Sequence, residues 1–149
     1  MARFEFRLHQ VLSYREALLE QTQLALVALE RQQAALEAEA ERLGRAYRQV
    51  LDGLPSIDQP LDIASSMVRQ DYLRFLEARL AEVQRAIDAV RARLEPLRLQ
   101  LVERHQQVEM LRKIRQREWE RWSESEKHRA AKHIEEIVHT SIPRSATRR

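Results

Sequence analysis

Apolar residues recur along this chain at alternating steps of three and four, and they do so in two long runs. The first run uses Leu12, Arg15, Leu19, Thr22, Leu26, Leu29, Gln33, Leu36, Ala40, Leu43, Tyr47 and Val50, of which nine of twelve are apolar. The second uses Leu73, Leu76, Leu80, Val83, Ile87, Val90, Leu94, Leu97, Leu101, Arg104, Val108 and Leu111, of which eleven of twelve are apolar. A seam held for more than five heptads predicts two long helices that pack against each other as a coiled coil.

Between the runs lies Gly53-Leu54-Pro55-Ser56-Ile57-Asp58-Gln59-Pro60. Gly53 and Pro55 stop the first helix. The second opens at Pro60, behind Asp58 or Gln59, or else at Asp62. So short a connection makes the helices antiparallel neighbours. In an antiparallel hairpin the numbers of facing residues add to a constant. If Val50 faces Leu73 the constant is 123, and both seams then start and stop together, with Leu36 facing Ile87 and Leu12 facing Leu111. A parallel homodimer gives no reason for that match. The same offset places Phe4 beside Trp119 and Leu8 beside Arg115.

The expected fold is therefore all-α: a long two-helix antiparallel coiled-coil hairpin, forming one domain over residues 1–142. Helix one is expected at about 5–52, the tip loop at about 53–62 and helix two at about 63–140, with a disordered tail over 143–149. The end of helix two overhangs the N-terminus. Residues 64–139 would span about 110 Å and the first helix about 70 Å. Pro96 lies on the outer face of the second helix, where it removes one backbone hydrogen bond and is expected to bend the helix as a tolerated kink rather than a hinge.

Composition agrees with this layout. A third of the residues are charged and only 5% are aromatic, with two glycines and no cysteine. That is a mixture for long helices and a poor one for sheets or tight turns. Without cysteine there are no disulfides or thiolate metal sites, which is compatible with a reducing compartment. No apolar run is long enough to span a membrane, and the first residues lack a signal-peptide core, so a cytoplasmic protein is expected. The net charge of +3 is uneven: residues 112–149 hold 11 bases and 6 acids, whereas residues 1–111 hold 15 bases and 17 acids. A basic end of this kind meets an acidic or anionic partner.

Catalytic and cofactor chemistry find no support. No H-E-x-x-H or G-x-x-x-x-G-K motif occurs among the residues, and a two-helix hairpin has no cleft in which carboxylates are desolvated. No cofactor or metal is called for. The run Arg112, Lys113, Arg115, Arg117, Trp119 and Trp122 has two readings. It is a contact for an acidic protein surface anchored by tryptophan, or a solvated helix face with the tryptophans closing the end of the hairpin. Nucleic acid is disfavoured, because Glu118, Glu120, Glu124 and Glu126 interleave with the bases and no groove-reading module is present. The seam residues Arg15 and Arg104 fix register while their heads reach water. Near the connection Tyr47, Leu51, Leu54, Tyr72 and Phe75 gather, as a small core for the loop or as a docking patch.

Phe4-x-Phe6-Arg7-Leu8-x-x-Val11-Leu12-x-x-Arg15-Glu16, then Tyr72-Leu73-Arg74-Phe75-Leu76, then Leu111-x-x-Ile114-Arg115-x-Arg117-Glu118-x-Glu120 resemble the FliJ family, as does the charged ending Glu126-Lys127-His128 with Ile134-Glu135-Glu136. FliJ proteins are small coiled-coil components of the bacterial flagellar type III export apparatus. Pro96, Trp122 and the prolines Pro55 and Pro60 depart from the family pattern. The resemblance implies a central stalk. The end carrying both termini would enter the hexameric export ATPase (FliI-like), through Arg112, Lys113, Arg115, Arg117, Trp119 and Trp122. The tip, through Tyr47, Leu51, Tyr72, Phe75 and Arg79, would contact the cytoplasmic domain of the export gate (FlhA-like). A FliH-like stator and export chaperones are further implied partners, and the chain is expected to be a monomer held peripherally at the inner face of the membrane. A pair of helices is about 20 Å across, a width suited to a ring's channel. The alternatives are the equivalent stalk of a virulence secretion system and a generic coiled-coil adaptor.

Overall fold

A computed structural model describes residues 2–142. Two helices, α1 (His9–Asp52) and α2 (Ile63–Ser141), account for its regular structure, and they pack against each other as an all-α hairpin with no strand among the described residues. The expected tail, 143–149, lies outside those residues.

All 24 seam positions named above are buried or half-buried, and none is exposed. The spacing in the sequence thus reports real burial, because a stripe repeating every 3.5 residues stays on the partner's side of a helix only when a second helix follows it. By compactness the chain divides into two units. A terminal unit comprises Met1–Leu19 with Arg104–Arg149, and a loop unit comprises Glu20–Glu103.

In the loop unit Leu29, Val90 and Leu94 form a buried cluster, with Leu26, Leu36 and Leu97 packed around it. Leu29 and Leu94 add to 123, as do Leu26 and Leu97, the offset expected from the sequence. One flank of this seam is closed by ion pairs from acids on α1 to bases on α2: Glu37 with Arg91 at 3.3 Å and Glu30 with Arg98 at 3.8 Å. Glu39 with Arg79, at 2.7 Å, bridges the opposite flank. Further along that flank lies a shallow groove lined by Ala25, Ala28, Gln32, Ala92, Arg93 and Pro96. α2 continues through Pro96 without interruption.

α1 ends at Asp52, where the Gly53 N–H donates the last helical bond to the Gln49 carbonyl at 3.1 Å. α2 begins after Asp62. The Asp62 carboxylate accepts from the Ala64 N–H at 3.2 Å and from the Ser65 hydroxyl at 2.7 Å, while its carbonyl accepts the Ser66 N–H at 3.0 Å. This is an N-cap, and it selects Asp62 over Pro60 as the helix start. Hydrogen bonds to the carboxylate, first from the Ser65 hydroxyl and then from the Ser65 and Ala64 N–H groups, hold the Asp62 carboxyl below its ordinary value.

In the terminal unit the seam arginines find partners close to their own positions. Arg15 donates to the Gln107 side chain at 3.0 Å, and Arg104 to the Leu18 carbonyl at 3.3 Å. Val108, between them, is fully buried. α1 starts at His9 rather than near residue 5. Continued helix would carry Glu5 into the seam and turn Phe6 outward. Leaving the helix lets Phe6 turn inward to 8% exposure while Glu5 stays in water.

The N-terminal aromatics do cover a tryptophan, but it is Trp122 rather than Trp119. The Phe4 and Trp122 ring centroids lie 5.7 Å apart. The reason is chain geometry: residues 2–6 are not helical, and extended chain advances about 3.3 Å per residue against 1.5 Å in a helix, so Phe4 reaches roughly one turn further along α2. At the position expected beside Leu8, Arg115 is exposed and its neighbour Ile114 is half-buried.

Candidate functional site

The chain presents two candidate surfaces, one in each unit. In the terminal unit the residues Arg112, Lys113, Arg115, Arg117, Trp119 and Trp122 share one helix but not one face. Arg112 is spoken for, reaching Glu109 at 3.0 Å and Glu16 at 3.4 Å. Trp122 is half-buried against Phe4. The other four are exposed, and Lys113, Arg115 and Arg117 make no ion pair or hydrogen bond among the described residues. Lys113 and Arg117 line a shallow groove with Met110 and Ile114. Arg115 faces a different hollow, bounded by Arg3, Phe4, Phe6, Arg7 and His9, and with Trp119 and Phe4 it borders a third.

The sequence pattern did not single out Arg3 and Arg7. They join Arg115 because the extended N-terminal segment lies beside α2, and Arg7 is tied there by Glu118 at 3.2 Å. Their alternation with Phe4 and Phe6 was the available signal: aromatics inward on an extended segment leave the intervening residues outward. The surface is electropositive with an exposed tryptophan at 45%. Such a surface attracts acidic partners and anchors them on an aromatic ring.

In the loop unit the five residues Tyr47, Leu51, Tyr72, Phe75 and Arg79 divide into three environments. Tyr72 and Phe75 stack with centroids 6.5 Å apart and are 45% and 60% exposed. Leu51 stands on the opposite flank of the seam, because it follows the seam residue Val50 whereas Tyr72 and Phe75 precede Leu73 and Leu76. Tyr47 is half-buried and donates its hydroxyl to Glu77 at 3.0 Å, a bond that raises its phenol above the ordinary tyrosine value. Arg79 is an internal bridge, held by Glu39 and Glu82. The gathering of aromatics expected from the sequence is thus a pair of exposed rings plus a tyrosine bonded within the hairpin.

Around the connection the structure adds a set of aliphatics that the sequence reading passed over. Ile57, Leu61, Ile63, Met67 and Val68 are each at least 61% exposed. Large apolar side chains left without cover are the material of an interaction site. The signal was available in the sequence, since Ile57 between two helix-breaking prolines and Leu61 just after the second have no seam to join.

Among the described residues no group of His, Asp and Glu is placed to hold a metal ion, and no buried side-chain polar atom lacks a partner. No helix is long and apolar enough to cross a membrane.

The model of the flagellar FliJ protein family matches residues 4–146, nearly the whole chain. The chain belongs to the FliJ family. No curated protein and no solved structure matches it. As a FliJ family member it is a component of the flagellar protein export apparatus, a non-catalytic one by family. The family match begins at Phe4 and so includes the extended segment that shapes the terminal surface.

Proposed function

We propose that this FliJ family chain is the stalk of the export machinery, with its terminal unit bound to the hexameric export ATPase and its loop unit bound to the cytoplasmic domain of the export gate. The observation that carries the reading is a difference in chemistry. The terminal unit displays Lys113, Arg115 and Arg117, unpaired among the described residues, with the exposed Trp119. The loop unit displays uncovered Tyr72, Phe75 and the aliphatics of the connection. Charge steers and aligns an ATPase ring on the first, and apolar contact holds the gate on the second. Binding in this way promotes ring assembly and couples it to the gate. A monomer docked on the gate is held at the inner face of the membrane without inserting. Export chaperones and the stator complete the set of partners.

The test is Arg115→Glu with Arg117→Glu, mixed with the hexameric export ATPase. The double variant binds the ATPase at least about tenfold more weakly at low ionic strength, with a smaller difference at high salt, where surface charges are screened. Stimulation of ATP hydrolysis falls in parallel. Binding that is indifferent to salt and to both reversals rejects the electrostatic reading. In the loop unit, Phe75→Ala weakens gate binding while helicity stays unchanged, because the ring is 60% exposed. Loss of helicity would return Phe75 to a structural role.

A further inference from the structure

Counted back from Leu73 by steps of four and three, the seam of α2 continues to Arg69 and Ser66, and both are half-buried. The constant of 123 puts Leu54 and Ile57 across from them, but α1 has already ended at Asp52. The connection turns there instead, with the Leu54 N–H on the Leu51 carbonyl at 3.2 Å and the Gln59 N–H on the Ser56 carbonyl at 3.0 Å. Two seam positions of α2 are thus left without a facing helix. Between the connection and α2 lies an open hollow of about 390 Å³, walled by Leu54, Pro55, Leu61 and Leu73. Ser66, Arg69 and Gln70 supply its polar lining, and no acid is among the lining residues.

Arg69 and Ser66 differ from the other polar seam residues. Arg15, Gln33, Tyr47 and Arg104 each hydrogen-bond within the hairpin. The side chains of Arg69 and Ser66 make no hydrogen bond, and Arg69 no ion pair, among the described residues. The Arg69 charge helps to lower the Asp62 carboxyl, but that carboxylate is bonded to Ser65 and Ala64 instead. A guanidinium at the edge of an apolar hollow favours a ligand that brings a carboxylate, because charge-assisted bonds are strongest where water is partly excluded. We infer that the hollow receives a large aliphatic side chain of a partner protein with an Asp or Glu next to it, the side chain extending the leucine seam and the carboxylate bonding to Arg69 and Ser66. Ile57 and Ile63, two residues from Pro55 and Leu61, are 104% and 70% exposed. They extend the apolar surface past the hollow, which selects a polypeptide segment over a single small carboxylate. The inference deepens the proposal above, since on that reading the segment belongs to the export gate.

The probe is an acetylated, amidated octapeptide with Leu-Glu at its centre among glycine and serine, compared with Leu-Gln and Ala-Glu versions. Amide shifts of Ser66, Arg69, Gln70 and Leu73 in the isotope-labelled full chain report binding. The Leu-Glu peptide saturates these shifts at a concentration at least about tenfold lower than either comparison peptide. Arg69→Gln erases the preference for Leu-Glu over Leu-Gln. Leu61→Ala, at a position 75% exposed, weakens Leu-Glu binding at unchanged helicity, and Phe75→Ala leaves it intact. Equal saturation by the three peptides, no saturable shift at these residues, or a preference that survives Arg69→Gln overturns the inference. So does a wild-type dimer in sedimentation that Arg69→Gln dissociates, since the occupant would then be a second copy. The gate is tested separately. If its cytoplasmic domain fails to bind the wild-type chain while the peptide preference holds, the gate proposal fails and the ligand class of the hollow stands. If the gate binds wild type, Arg69→Gln and Leu61→Ala alike, the hollow is not its docking site.

Discussion

Replacing Pro96 by alanine should stabilise this protein, and the size of the effect follows from where the ring sits. Pro96 is inside α2, far from either end, and is exposed on the groove lined by Ala92, Arg93, Ala25 and Ala28. Its missing N–H leaves the Ala92 carbonyl without its helical donor, and its ring crowds that same carbonyl. In a helix interior these two effects together cost about 3 kcal/mol relative to alanine. Against this, proline restricts the unfolded chain, which returns roughly 0.5–1 kcal/mol to the wild type. Because the ring is on the outer face, its removal empties no core site. The net expectation is a gain of about 2 kcal/mol for Pro96→Ala, a rise in Tm of about 4–8 °C in a chain of this size. Thermal and urea unfolding followed by circular dichroism at 222 nm measure it directly, with an unchanged urea m-value showing that the unfolded reference is the same. An unchanged or lowered Tm would refute the argument. It would mean that the packing of Leu94 and Leu97 on either side depends on the proline.

Three further outcomes follow from the same structure. Leu94→Ala, at a position 1% exposed, should cost about 3 kcal/mol, of which about 2.4 kcal/mol is lost transfer energy for three carbons and the rest a small cavity that the half-buried Leu26 and Leu97 partly close; Leu99→Ala, at 66% exposure, is the near-silent control in the same urea titration. Gly44 lies in α1 beside open space, with no neighbouring atom within 4 Å of where an alanine methyl would stand, so Gly44→Ala should raise stability by about 0.5–1 kcal/mol, read as a higher urea midpoint. The Asp62 carboxyl titrates below its unfolded value, so its cap stabilises fully above the ordinary carboxylate pKa of about 3.9 and the benefit disappears as pH falls through the lower folded value; the stability gap between wild type and Asp62→Ala, measured by urea unfolding across acidic pH, should be constant near neutrality and close on acidification.

The sequence by itself determined the helices, their seam and their register. Twelve positions on each helix, chosen by spacing alone, are all buried or half-buried, because a stripe of period 3.5 has one low-energy arrangement, along a second helix. It also carried the family assignment, since the order of short motifs survives where each motif alone is degenerate. The tertiary structure decided what lies outside that period. Phe4 reaches Trp122 because the first residues leave the helix, a change of rise per residue that no periodicity encodes. Among the described residues Arg79 and Arg112 are paired whereas Lys113, Arg115 and Arg117 are not, because pairing depends on which flank of the seam a residue occupies and which residue stands across it. The aromatics near the connection divide between flanks for the same reason. Spacing along one helix fixes which side is buried; only the second helix, in place, determines what each exposed side chain has left to bind.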